Sequence, residues 1–162
     1  MAVVEIRPAL ASDADALSGL IRGLGFFARL EGEDATSTAA RVDRHLSMCL
    51  ADDSHTVFVA VETGGHIVGY TAVHWLPYLF LTGPEGYLSE LFVADDRRSR
   101  GVGTELLERV IDEARRRGCA RLMLAAVRSR ESYERGFYTA RGWVEREDVA
   151  NLVYELEPRT GS

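Results

Sequence analysis

Residues 87–117 constrain this chain more than any other stretch. A strand-like run, Tyr87-Leu88-Ser89-Glu90-Leu91-Phe92-Val93, leads into a short polar loop that ends Arg97-Arg98-Ser99-Arg100, and then into two glycines, Gly101 and Gly103. The glycines open the clearest helix in the sequence. Across 101–117, Leu106, Leu107, Val110, Ile111 and Ala114 recur on one stripe, the spacing of a helix that buries one face. Glu105–Arg109, Asp112–Arg116 and Glu113–Arg117 stand acid-first at i, i+4 on its outer face. Three arginines at 115–117 crowd the negative end of the helix dipole, and Gly118 is placed as the C′ residue. A helix start leaves backbone N–H groups without intrahelical partners and carries roughly +0.5 charge, so it holds a phosphate where the chain can come close. Gly101 and Gly103 remove the β-carbons that would keep a phosphate off the amides of residues 100–104, and Arg98 and Arg100 add permanent positive charge. A lone G-x-G signals no more than a tight turn. Strand, basic loop, paired glycines and helix together point to a phosphate ligand.

The rest of the chain limits which ligand. Its 162 residues suit one domain, 1–162, and a 46% hydrophobic content is too high for a disordered chain. No apolar run nears the roughly 20 residues of a membrane span, and the N-terminus lacks the basic-then-apolar pattern of a secretion signal. Cys49 and Cys119 are too few and too distant for a disulfide framework or a cysteine zinc site, which fits a cytoplasmic setting. All 19 basic residues are arginine; without lysine a Walker-type phosphate loop is excluded. The dinucleotide fingerprint G-x-G-x-x-G fails at Leu106, where its third glycine belongs. Residues 1–96 carry 5 Arg against 14 acidic side chains, and 97–162 carry 14 Arg against 11. A net charge of −6 argues against nucleic-acid binding, while the asymmetry allows a small polyanion on the C-terminal half. His45, His55, His66 and His74 show no H-x-x-x-H spacing, so no metal is expected. No G-x-S-x-G suggests a serine hydrolase.

A coarse pass gives strands at 3–7, 56–62, 67–75, 87–93, 121–127, 143–146 and 150–157. Helices are expected near 14–24, 35–50, 101–117 and 130–140, the first behind a capping-box-like Ser12-Asp13-Ala14-Asp15. This is a mixed α/β chain around a central sheet.

The segment Arg98-Ser99-Arg100-Gly101-Val102-Gly103 resembles motif A of the GCN5-related N-acetyltransferases (GNAT family), whose pattern is [Q/R]-x-x-G-x-[G/A]. The likeness extends upstream to Glu90-Leu91-Phe92-Val93 and downstream to Phe137-Tyr138-Thr139-Ala140-Arg141-Gly142-Trp143, similar to the family's Phe-Tyr, then Gly-aromatic signature. The resemblance implies a GNAT-like fold: a mostly antiparallel sheet of six to seven strands with a splayed parallel pair, 87–93 and 121–127, flanked by about four helices. It implies acetyl-coenzyme A as co-substrate, with pantetheine along the backbone of Leu91, Phe92 and Val93. The pyrophosphate would lie on Arg98, Ser99, Arg100, Gly101, Val102, Gly103 and Thr104. One N–H of 91–93 would hold the thioester oxyanion.

Transfer needs a neutral amine, and an alkyl ammonium has a pKa near 10.4, so a group must accept its proton. Glu90 matches a base position of many relatives, and plain strand alternation puts it on the face of Leu88 and Phe92. Tyr138 matches the family's donor to the departing thiolate. Where relatives often carry Asn and Ala, this chain has Glu131 and Glu134. Phe26, Phe27, Glu31, Glu33, Asp34, Tyr78 and Tyr87 are candidate acceptor contacts, an acidic and aromatic wall suited to a small amine. The expected acceptor is a small-molecule amine or a peptide. A homodimer through the last strands is compatible with the family. A non-catalytic acyl-coenzyme A-binding or sensing domain of the same fold is the alternative reading.

Overall fold

In a computed structural model, residues 3–25 and 27–156 are described, and they fall into two compact units divided after Leu124. The first unit holds a five-stranded sheet in the order β1-β2-β3-β4-β5. Its strands are β1 (Val4–Pro8), β2 (His55–Glu62), β3 (Ile67–Leu76), β4 (Glu85–Val93) and β5 (Arg121–Leu124). The first four pair antiparallel, and β4 with β5 is the one parallel pair. Around them run α1 (Ala14–Gly23), a single turn α2 (Ala28–Glu31), α3 (Ala35–Leu50) and α4 (Val102–Arg116).

Alternation in the two central strands sends side chains to both faces. Val57, Val59, Tyr70 and Ala72 face a core shared with Leu17 of α1 and Leu46 of α3. On the other side α4 buries its predicted stripe: Leu106, Leu107 and Val110 are fully buried. Each such side chain contributes roughly 1.5–3 kcal/mol of transfer free energy. The helix closes as expected, with Gly118 at φ +67 and the Cys119 N–H reaching Ala114 O at 3.0 Å. Its ion pairs differ in part from the i, i+4 expectation. Glu113 binds both Arg116 and Arg117, Asp112 takes Arg115, and Arg109 lies over the Phe58 ring at 4.9 Å.

The parallel pair depends on one close approach. A β-carbon at Gly86 would sit 2.4 Å from Leu122 Cδ2 and 2.8 Å from Trp75, so any larger residue would have to displace those side chains. Beside it the buried Glu85 pairs with Arg121 across the β4–β5 register. At the other end of the unit, the capping-box expectation is met differently. Asp13 accepts from Leu10 N at 2.7 Å and from both terminal nitrogens of Arg7, tying β1 to the entry of α1.

The second unit, described from 125 to 156, holds α5 (Glu131–Glu134) and a 3-10 turn, Thr139–Arg141. The helix expected over 130–140 stops early because Gly136 turns left-handed at φ +68, with its N–H on Tyr133 O at 2.9 Å. The strands expected at 143–146 and 150–157 are absent from the described residues, so the sheet has five strands there and not six to seven. Among the described residues the segment forms no ladder, and Val144, Leu152 and Tyr154 are exposed; strand propensity alone does not make a strand. The last residue of the second expected strand, Glu157, lies outside the described residues. The strand expected over 121–127 likewise ends at Leu124. Among the described residues no helix is long and apolar enough to cross a membrane.

Candidate active site

The β3–β4 register carries a one-residue irregularity. Ala72 pairs with Glu90, and the next residue, Val73, pairs with Leu88, leaving Ser89 as an extra residue in β4. A bulge of this kind re-aims the side chains beyond it. Glu90 and Phe92 therefore share the face of Tyr70 and Ala72, whereas Leu88 goes with Val73 to the opposite face. This corrects the expected grouping of Leu88 with Glu90: simple alternation counts no bulge. Ser89 itself donates to Ala72 O at 3.3 Å and meets His74 Nε2 at 2.8 Å.

Glu90 faces a cavity of about 580 Å³ between the sheet and α1, α2 and α3, lined mostly by apolar side chains. Tyr70 Oη donates to Glu90 Oε1 at 3.0 Å. Burial pushes the Glu90 carboxyl above its ordinary value, opposed by the Tyr70 hydrogen bond and the charge of His45. Burial beside Glu90 holds the Tyr70 phenol protonated, well above its usual value. The carboxylate is thus a stronger proton acceptor than one in water, and it reaches a mostly apolar cavity.

Just past the bulge the sheet opens. The β4–β5 ladder covers residues 85–88 with 121–124 and ends there, while β4 continues along β3 to Val93. Leu91, Phe92 and Val93 all lie beyond the end of the parallel ladder. The chain then makes a 3-10 turn, Asp95–Arg97, and enters α4 through Gly101. Gly101 is left-handed at φ +89, and a β-carbon there would meet nothing within 4 Å. As N-cap it offers no side-chain acceptor to the first-turn amides. Ser99, at φ 60, is the one non-glycine positive-φ residue among those described. Two left-handed residues this close to a helix start turn successive amides inward, a backbone concavity suited to an anion. Ser99 holds a conformation costly for a residue with a β-carbon, the kind of strain that gathers at binding sites.

The other motif residues differ in how they can act. Arg98 pairs with Asp95 at 2.7 Å, and Arg100 is exposed. The Val102 side chain is buried, within reach of a β-carbon placed at Gly69, so its role at an anion would be through its backbone. Gly103 and Thr104, half-buried, follow in the first turn. In the second unit Tyr138 is half-buried, edge-on to Phe137 at 5.0 Å and to Trp143 at 6.1 Å. Desolvation raises its phenol above the ordinary value. Glu131 and Glu134 are exposed.

The acidic wall expected at the acceptor side does not form. Glu33 pairs with Arg41 and accepts from Thr38 Oγ1 at 2.8 Å, and Asp34 caps α3 by accepting from Ser37 N at 2.8 Å. Tyr78 packs on Phe80, and Tyr87 lies nearer His74. Glu31 is exposed, and Phe26 lies outside the described residues. Of the expected acceptor contacts Phe27 lines the cavity, edge-on to Phe92 at 5.5 Å. Cys49 also lines it, its thiol pushed up by burial, while Cys119 is half-buried elsewhere. Tyr70, Arg41 and His45 were not among the expected site residues. Tyr70 could have been found from a strand register that the 77–84 loop does not specify.

The model of the acetyltransferase (GNAT) family matches residues 25–143, a span that includes the opened sheet, the α4 entry and Tyr138. The chain belongs to this family. It is 26% identical over 132 residues to a thialysine N-epsilon-acetyltransferase of Mus musculus, covering 78% of this chain and 76% of that one. It is 29% identical over 94 residues to an L-methionine sulfoximine/L-methionine sulfone acetyltransferase of Pseudomonas paraeruginosa, covering 57% of this chain and 53% of the relative. Among solved structures, a transcriptional regulator from Bacillus halodurans superposes with a TM-score of 0.81 at 22% identity, covering 95% of this chain and all of the other. The fold is therefore that of GNAT proteins, and the acetyltransferase relatives support acetyl transfer as the chemistry of this GNAT chain.

Proposed function

We propose that this protein is an N-acetyltransferase that moves an acetyl group from acetyl-coenzyme A to a primary amine by direct attack in a ternary complex. The observation that carries the reading is Glu90, a carboxylate raised by burial and facing an apolar cavity where β4 leaves β5. On this reading the 1–162 chain works as one domain, supported by a family match that runs across the division at Leu124.

The pyrophosphate of acetyl-coenzyme A rests on the turn of Arg98, Ser99, Arg100, Gly101, Val102, Gly103 and Thr104. Its pantetheine follows the β4 backbone at Leu91, Phe92 and Val93. The ammonium of the acceptor gives one proton to Glu90, directly or through water, and its freed lone pair attacks the thioester carbonyl carbon. An N–H among 91–93 stabilises the oxyanion that forms. Collapse of that intermediate breaks the C–S bond; Tyr138 gives the departing thiolate a proton, and the second proton of the attacking nitrogen leaves through water as the amide forms, restoring the Tyr138 phenol. The Tyr138 role rests on the Phe137–Trp143 signature. The products are the amide and free coenzyme A, and no covalent acyl-enzyme is needed.

The test is release of free thiol from acetyl-coenzyme A with a panel of amines, alongside Tyr138→Phe. Amine-dependent release that falls in the variant is expected. Tight binding of acetyl-coenzyme A without release for any amine would make this a non-catalytic acyl-coenzyme A-binding domain instead.

A further inference from the structure

The cavity in front of Glu90 also says what the amine is attached to. Leu17 and Ile21 of α1, Phe27 and Leu30 at α2, and Val42 and Leu46 of α3 supply an apolar wall facing the sheet residues Val57 and Ala72. Glu90 is the carboxylate among the described lining residues. Arg41 reaches the cavity as well, but its guanidinium donates to Glu33, which is in turn fixed by Thr38. His45 lines the α3 side and Cys49 adds a poorly polar thiol.

Charge complementarity therefore works at one point. A single ammonium is matched by Glu90. Among the described lining residues a second ammonium would find leucine, valine and phenylalanine and no carboxylate of its own, and a charge shielded from water there without a partner is disfavoured. Among the described lining residues a carboxylate on the acceptor would find Arg41, already held by Glu33, and His45, whose charge already acts on Glu90. Hydroxyl-rich bodies would lose their hydrogen bonds to water and gain few here. An apolar body loses nothing and gains from leaving water. The volume is that of a small-molecule site, typically about 300–1,000 Å³.

We infer that the acceptor is a small primary amine on an uncharged apolar body, an alkyl- or arylalkylamine, seated between α1, α2, α3 and the sheet with its nitrogen at Glu90. This rests on the acetyl-transfer reading above and names its substrate class.

The test is kcat/KM for thiol release with acetyl-coenzyme A across three sets: propylamine to octylamine with 2-phenylethylamine; lysine and glutamate; and spermidine with an aminoglycoside. The value should climb about fourfold per added methylene until the cavity is full, the increment expected for burying a CH₂. Lysine, glutamate and the polycations should fall at least tenfold below hexylamine. Val42→Phe, which fills the space from α3, should flatten the chain-length series, read as a fall in the ratio of kcat/KM for octylamine to that for propylamine. Leu30→Asp, which adds a carboxylate to the wall, should narrow the gap between diamines and hexylamine. Turnover confined to the charged or hydroxyl-rich amines, or a flat chain-length series, would overturn the inference and leave acetyl transfer standing. No turnover with any member would overturn the transfer reading and the inference with it.

Discussion

Tyr70 Oη donates a 3.0 Å hydrogen bond to Glu90 Oε1 across the β3–β4 ladder, so the buried carboxylate is held by a phenol that is itself kept protonated. The bond lowers the Glu90 pKa against the larger upward push of burial. Tyr70 thus positions the proposed base and sets the pH at which it works.

Tyr70→Phe keeps the ring and deletes the donor. A hydrogen bond to a charged group contributes about 1.5–3 kcal/mol, and one pKa unit is about 1.4 kcal/mol. The acid limb of kcat/KM should therefore move up by about one to two pH units, with the high-pH plateau within a few-fold of wild type. A pH–rate profile of the two proteins checks this.

Gly101→Val forces a β-branched residue into φ +89, although the added atoms meet open space. The penalty is one of backbone conformation, about 1–2 kcal/mol of stability, and is readable by urea unfolding. Coenzyme A affinity by calorimetry should fall more than tenfold, because the altered turn no longer aims its amides together and the side chain stands in the approach.

How these elements came to be foreseen or missed follows from the range of the forces involved. The α4 stripe and the α3 span, 35–50, were legible because helical periodicity and caps are local, and Gly118 ends α4 as its position predicts. The Ser89 bulge was not, because a bulge depends on how β3 and β4 register, which an eight-residue loop at 77–84 leaves open. Glu33 and Asp34 read as an acidic wall because sequence shows their charge but not their partners, Arg41 and the α3 amides. The strand-rich pattern of 143–156 shows propensity, which alone does not form a ladder. The Gly-x-Gly entry and Glu90 stand out through a motif that is compact in sequence, whereas Tyr70 enters from a different strand.

Tyr138→Phe retains the aromatic packing on Phe137 and Trp143 while removing the hydroxyl. Turnover should fall about 10²-fold or more, the usual worth of a positioned acid, with coenzyme A affinity unchanged. The decline should ease when the leaving thiol is made more acidic, measured with an activated acyl thioester.

Glu90→Gln should also change stability with pH. The folded carboxyl binds its proton more tightly than the ordinary value of 4.5. In the window between that value and the raised one the native state holds more protons than the unfolded chain. Stability present below that window is lost as pH rises through it. The glutamine variant lacks this loss, so its urea midpoint relative to wild type should be higher at pH 8 than at pH 4.

The most direct measurement is amine-dependent thiol release from acetyl-coenzyme A by wild type and Glu90→Gln, followed across pH with coenzyme A affinity measured in parallel. With Glu90 taking the ammonium proton, the variant binds coenzyme A as wild type does, turns over roughly 10²–10⁴-fold more slowly at neutral pH, and recovers only as the free amine becomes abundant in alkaline solution. Superimposable rate profiles for the two proteins would contradict the account.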